Sequence, residues 1–232
     1  VGSLAVFVTL SLTAMIIRLT PVLMKPNEDE HEHLPLRSLV TSFRVDWLIS
    51  GGLLCAVFLE FATGDWSAIF AKERIGVSSS LAALPYVLFM IAMIIGRLNA
   101  GKIAIRFRVD QTIRLFALIG GVGFLTFLTI AVQIPAEHKA IAFTATCLAF
   151  TFAGMGSSLM APTFYTAGNQ RSSLPSAVVV GQMGVVNMIA VFILKAVVAW
   201  TAQFTGSLAI ALTIPALMLI ATALFARAVK PI

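Results

Sequence analysis

Long apolar runs alternate with short polar segments along this chain, and the runs show no amphipathic period. Seven stand out, at 1–24, 47–71, 78–96, 112–134, 140–160, 176–201 and 207–226. A helix of about 20 residues crosses a hydrocarbon core of about 30 Å, and each run is close to that length. Barrel strands are about ten residues long and alternate in polarity, which these runs do not. Because lipid offers no hydrogen bonds, a spanning segment must pair its own backbone groups, and runs of this kind predict helices. The expected fold class is all-α: a polytopic membrane protein with seven transmembrane helices.

Composition strengthens that reading. Hydrophobic residues make up 59% of the 232 and charged ones 11%, against roughly a quarter charged in soluble domains; mean hydropathy is +0.98. A soluble fold has no way to hide that much apolar surface. The formal charge of +6 would suit nucleic acid if the bases clustered on a polar surface. They stand between apolar runs instead, which excludes a nucleic-acid partner and points to membrane orientation. One set of alternate segments holds twelve cations: Arg18, Lys25, Arg37, Arg44, Arg97, Lys102, Arg106, Arg108, Arg114, Arg171, Arg227 and Lys230. The other set holds three, Lys72, Arg74 and Lys139, and Lys195 lies within a run. The asymmetry puts 25–44, 97–111, the loop around Arg171 and the C-terminus in the cytoplasm of a cell (inner or plasma) membrane. Trp66 and Trp200 then fall near the outer interface and Trp47 near the inner one. Cys55 and Cys147 sit inside runs and read as packing residues. Segment 1–24 lacks a basic n-region and is too long for a signal peptide. With no initiating Met, it suggests a fragment.

Particular residues carry a family resemblance. The second run contains Glu60-Phe-Ala-Thr-Gly64-Asp65-Trp66-Ser67. The third has Pro85 and Tyr86 and ends in Gly96-Arg97-Leu98. The fifth ends in Gly154-Met-Gly156-Ser157, with Pro162 beyond. Together these resemble the major facilitator superfamily, in the bacterial branch similar to sugar/proton symporters, over essentially the whole chain. The resemblance implies that 1–24 matches helix six and that 25–45 is the cytoplasmic linker between two six-helix halves. It makes 46–228 the C-terminal six-helix half, built from two three-helix repeats, and 229–232 a cytoplasmic tail. It implies secondary active transport of a small solute, such as a sugar or related metabolite, coupled to H+ by alternating access. It also implies a gating role for the Gly96, Arg97, Lys102 and Arg106 stretch. Gly101 and Arg108 depart from the family, which has an Asp and a Gly at those places, and the Asp is a gate latch. Lys195 stands where small residues or Pro are usual.

The candidate chemistry is sparse. Glu60 lies fourteen residues beyond Asp46, roughly 21 Å into the membrane. A charged carboxylate there costs at least about 2.5 kcal/mol and is expected to meet a cavity, a cation or a proton. Asp65 is about 7.5 Å further along and turned about 140° from Glu60, so the two share no face and do not form an acid/base pair. Asp65 is expected at the outer rim, as a helix latch or in the substrate entrance. Lys195 either snorkels outward or pairs with Glu60. Asn187, deeper on the same helix, bonds substrate or bridges helices. The Arg97–Arg108 cations also suit anionic lipid headgroups. Gly154-x-Gly156 is not a nucleotide fingerprint, because no strand precedes it. His31 and His33, in the acidic linker, read as solvated.

No Ser/His/Asp set, zinc spacing or phosphate loop appears, so no enzyme, cofactor or metal is expected. Two other readings stay open: a retinal-type seven-helix photoreceptor, with the Schiff base on Lys195, and a non-transporting assembly partner in the bilayer. As a transporter half, the chain is expected to need its missing N-terminal half or a second copy. The charge asymmetry makes a direct prediction. A reporter active only outside the cytoplasm, fused after Ile232, stays silent; activity there overturns the topology.

Overall fold

The structure is a computed structural model that describes Thr13 and residues 46–229, without the side chain of residue 104. The chain divides into two compact units, Val1–Ser42 and Phe43–Ile232, and the helices below belong to the second. The expected first helix, the linker with His31 and His33, and residues 230–232 lie outside the described residues, Thr13 excepted.

Eight helices follow in order: α1 (Trp47–Phe70), α2 (Leu84–Leu98), α3 (Ala100–Arg106), α4 (Val109–Gln133), α5 (Lys139–Ser157), α6 (Met160–Gln170), α7 (Ser176–Thr205) and α8 (Leu208–Phe225). No strand occurs among the described residues. Among the described residues, five stretches are long and apolar enough to cross a membrane: Trp47–Ile75, Val109–Gln133, Ala136–Gln170, Ser176–Thr205 and Leu208–Phe225.

The third run departs from expectation. Ser78 to Ala83 do not extend a helix. They form a turn in which the Ser78 carbonyl accepts from the Leu81 and Ala82 amides at 3.0 and 3.1 Å. Helix α2 starts only at Leu84, with Pro85 in its first turn, where a missing N–H costs nothing. Its 15 residues span about 22 Å, short of a full crossing. The segment 97–111 is not an open loop either. Helix α3 occupies most of it after a break at Asn99, and α4 begins at Val109.

Two helix ends are sharply defined. Asp46 caps α1, its Oδ1 accepting from the amides of Leu48 and Ile49 at 3.0 and 3.2 Å. At the far end α1 widens into a π-type turn over Ala71–Ile75 and stops at Gly76, whose φ of 75° suits a residue without a Cβ.

Helix α5 is the centre of the bundle. Apolar surface gives little drive for helices to associate in lipid, so close backbone approach carries the packing. Gly156 of α5 meets Gly120 of α4, and a Cβ on either would press on the other's Cα. A Cβ on Gly154 would collide with the Phe89 backbone carbonyl of α2. Beyond these contacts, Phe124 meets Phe150 edge-on at 5.2 Å and Phe127 stacks on Phe152 at 5.3 Å. Helix α7 joins the main core through Val179 and Met183 and otherwise packs in a small cluster of Phe58, Val191, Val198 and Ala211. Met188, Phe192, Ile193 and Phe204 leave its other side bare and apolar, as suits contact with lipid or another bundle.

Gly154→Val and Gly120→Val are therefore expected to destabilise the protein by about 1–3 kcal/mol each through overpacking. Gly184, with nothing near its Cβ position, tolerates Ala without loss. Thermal unfolding in detergent ranks the three; equal stability for all of them contradicts the packing described.

Candidate functional site: charged pairs on helix α1

The site begins with a proline. Pro162 sits in the first turn of α6 and has no N–H to give the carbonyl four residues back, that of Ser158. The helical path of α5 breaks there, at Ser158 and Leu159. Ser158 is fully buried, and a buried carbonyl needs a donor. Arg97, in the last turn of α2, supplies one: its Nε donates to the Ser158 oxygen at 3.3 Å. Gly96 beside it lets α2 come this close, since a Cβ there would collide with the Ser158 side chain.

The same guanidinium reaches α1. Arg97 Nη2 lies 3.7 Å from Glu60 Oε2, with both side chains partly exposed. Arg97 is thus a residue of the bundle, correcting its expected place in a cytoplasmic loop.

On the other flank of α1, Lys195 of α7 binds Asp65, Nζ to Oδ2 at 2.6 Å. Its ammonium also lies 5.6 Å from the Phe61 ring centroid, within cation–π range. The alternative of a Lys195–Glu60 pair is overturned: each α1 carboxylate has its own cation, one from α2 and one from α7. The two pairs lie on different sides of the helix, offset by about 7.5 Å along it.

Asn187 stands apart from both pairs. It is 97% buried, since only 3% of it is exposed. Its Nδ2 donates to the Met183 carbonyl at 2.9 Å, while its Oδ1 has no partner among the described residues. Lys102 and Arg106 lie on α3, exposed, and take no part in either pair.

One cluster had no counterpart in the sequence reading. Arg171, at the end of α6, pairs with Asp46 at 2.8 Å and donates to the Ala228 carbonyl at 3.2 Å. It ties the start of α1 to the segment after α8. Asp46 before an apolar run was a legible cap signal, but its second bond depends on which helix ends meet.

Residues 1–194 match the Major Facilitator Superfamily. The chain belongs to the major facilitator superfamily. Within that superfamily it is similar to an uncharacterised MFS-type transporter of Yersinia pestis, 31% identical over 190 residues. That alignment covers 79% of this chain and 45% of the relative, so the chain spans less than half the relative's length. The superfamily is one of membrane transporters and not of enzymes, which sets the photoreceptor alternative aside.

The dual role of Arg97 predicts an asymmetry. Glu60→Gln removes only a long, partly exposed ion pair and is expected to cost less than about 1 kcal/mol of stability. Arg97→Gln also strands the Ser158 carbonyl and is expected to cost about 1–3 kcal/mol. Denaturation of both variants in the same detergent tests this; equal losses contradict the helix-break contact.

Proposed function

We propose that the chain supplies the C-terminal half of a secondary active transporter that moves a small solute, a sugar or related metabolite, together with H+. The carrying observation is the pair of α1 carboxylates, each matched to a cation from a flanking helix. Ionisable side chains inside spanning segments are expensive and mark substrate or proton pathways. Helix α1 brings two of them to adjacent levels.

Glu60 suits the proton-carrying role. Its partner is held at 3.7 Å rather than in close contact, and that partner has a second acceptor in the Ser158 carbonyl. A proton arriving on Glu60 cancels its attraction for Arg97, which retains the carbonyl bond. Loading and release then swing one guanidinium between a charged and a neutral acceptor, at the point where α2 meets the break between α5 and α6. Such a contact can bias rocking between inward- and outward-facing states, which in transporters of this kind turn about a site near the midplane, between repeat-related halves. Asp65 and Lys195, nearer the Gly206 end, suit a role at the solute entrance. Asn187 is buried and its amide bonds within its own helix, which gives it no contact with either charged pair. The other half of the cavity comes from an N-terminal half or a second copy. The protein sits in the cell membrane with its C-terminus in the cytoplasm on the charge asymmetry of the loops.

Glu60→Gln in the complete transporter is the test. Uptake driven by an imposed pH gradient in membrane vesicles is expected to vanish, with expression and thermal stability close to normal. Coupled uptake at the normal rate removes Glu60 from the proton pathway.

A further inference from the structure

A second charged feature lies away from the α1 pairs, where the chain passes from α3 into the start of α4. Lys102 and Arg106 are one turn apart on α3, and Arg114 is in the second turn of α4. All three are exposed, and none has an ion-pair partner among the described residues. Arg108, between them in sequence, is by contrast engaged by Asp110 at 3.3 Å. The next positions round α3 are apolar. Ile103 and Phe107 line a cavity of about 220 Å³ with Gln111, Thr112, Leu115 and Phe116. A smaller cavity of about 100 Å³ adjoins it and shares Ile103 and Thr112. From Leu115 the exposed apolar surface runs on along α4 through Leu118, Ile119 and Val122, each 39–55% exposed.

Three cations without an ion-pair partner among the described residues thus stand on α3 and the start of α4, the same stretch whose apolar side chains line the recess and continue into a surface suited to hydrocarbon. We propose that this corner is a binding site for one anionic phospholipid, with its phosphate held by Lys102, Arg106 and Arg114 and the start of an acyl chain laid against Phe107 and Leu115. The charge pattern selects the headgroup. A zwitterionic choline lipid would bring its own ammonium to three cations, whereas phosphatidylglycerol brings only negative charge. The recess, apolar apart from Gln111 and Thr112, favours a lipid over an acidic peptide, most of whose backbone N–H and C=O groups would go unpaired there.

The experiment uses the full-length protein carrying this chain, stripped of lipid in detergent and titrated with phosphatidylglycerol or phosphatidylcholine. Native mass spectrometry counts the bound lipid. The expected result is one tight site for phosphatidylglycerol and much weaker binding of phosphatidylcholine. Lys102→Ser, Arg106→Ser and Arg114→Ser together weaken phosphatidylglycerol roughly a hundredfold, the scale for three charges near an anionic surface. Phe107→Ser with Leu115→Ser keeps every charge yet also weakens it. Lys72→Ser with Lys139→Ser, far away in sequence and on other helices, changes nothing. Thermal unfolding of each variant checks that it remains folded. Equal affinity for the two lipids overturns the proposal, as does unchanged binding in the triple variant. So does unchanged binding in the Phe107/Leu115 variant, which would mark diffuse attraction between charges rather than a built site.

Discussion

Pro162 withdraws a backbone donor from the middle of a membrane-embedded bundle, and Arg97 returns one from another helix. In hydrocarbon an unpaired carbonyl costs several kcal/mol, so a helix break survives only where something polar answers it. The rest of the arrangement follows from that need. Arg97 must lie level with Ser158, so α2 must press against α5, which requires Gly96 and Gly154 at the contact. A guanidinium has five donors, and one bond to a carbonyl leaves its charge unbalanced. Glu60 on α1 balances it. A glycine pattern, a proline and an ion pair, on four helices, are therefore parts of one solution.

The two ion pairs differ in kind. Lys195 and Asp65 are in close contact, with Phe61 beneath the ammonium, so each neutralises the other fully. Glu60 shares Arg97 with a carbonyl and holds it at longer range. A tight pair resists change; a shared one has a second state already provided. That contrast is the ground for proposing Glu60 for coupling and Asp65 for the entrance.

Much of this was legible in the residues. Apolar runs located the helices, because length and lack of period suffice when the outside is lipid. The family followed from Gly-Asp-Trp-Ser and Gly-Arg-Leu at their spacing. The divergent faces of Glu60 and Asp65 followed from helix geometry alone. What was not legible was the register between helices. Arg97, at the end of its apolar run, was counted with the cations of the segment after it, although it reaches Glu60 and the Ser158 carbonyl inside the bundle. Lys195 was weighed against Glu60, yet counting inward from the far ends favours Asp65: it lies ten residues before Ile75, and Lys195 ten before Thr205. The short α2 escaped notice because Ser78-Ser79-Ser80 and the apolar residues after them are compatible with either a helix start or a turn. The Asp46–Arg171 bond joins positions 125 residues apart, and no local pattern announces it.

Asp46 also bears on how force enters the bundle. The chain passes into α1 through this residue, which both caps that helix and grips Arg171, and Arg171 grips the carbonyl beyond α8. A pull arriving along the preceding segment is therefore not borne by one helix. It spreads at once to three helix ends: the start of α1, the end of α6 and the segment after α8.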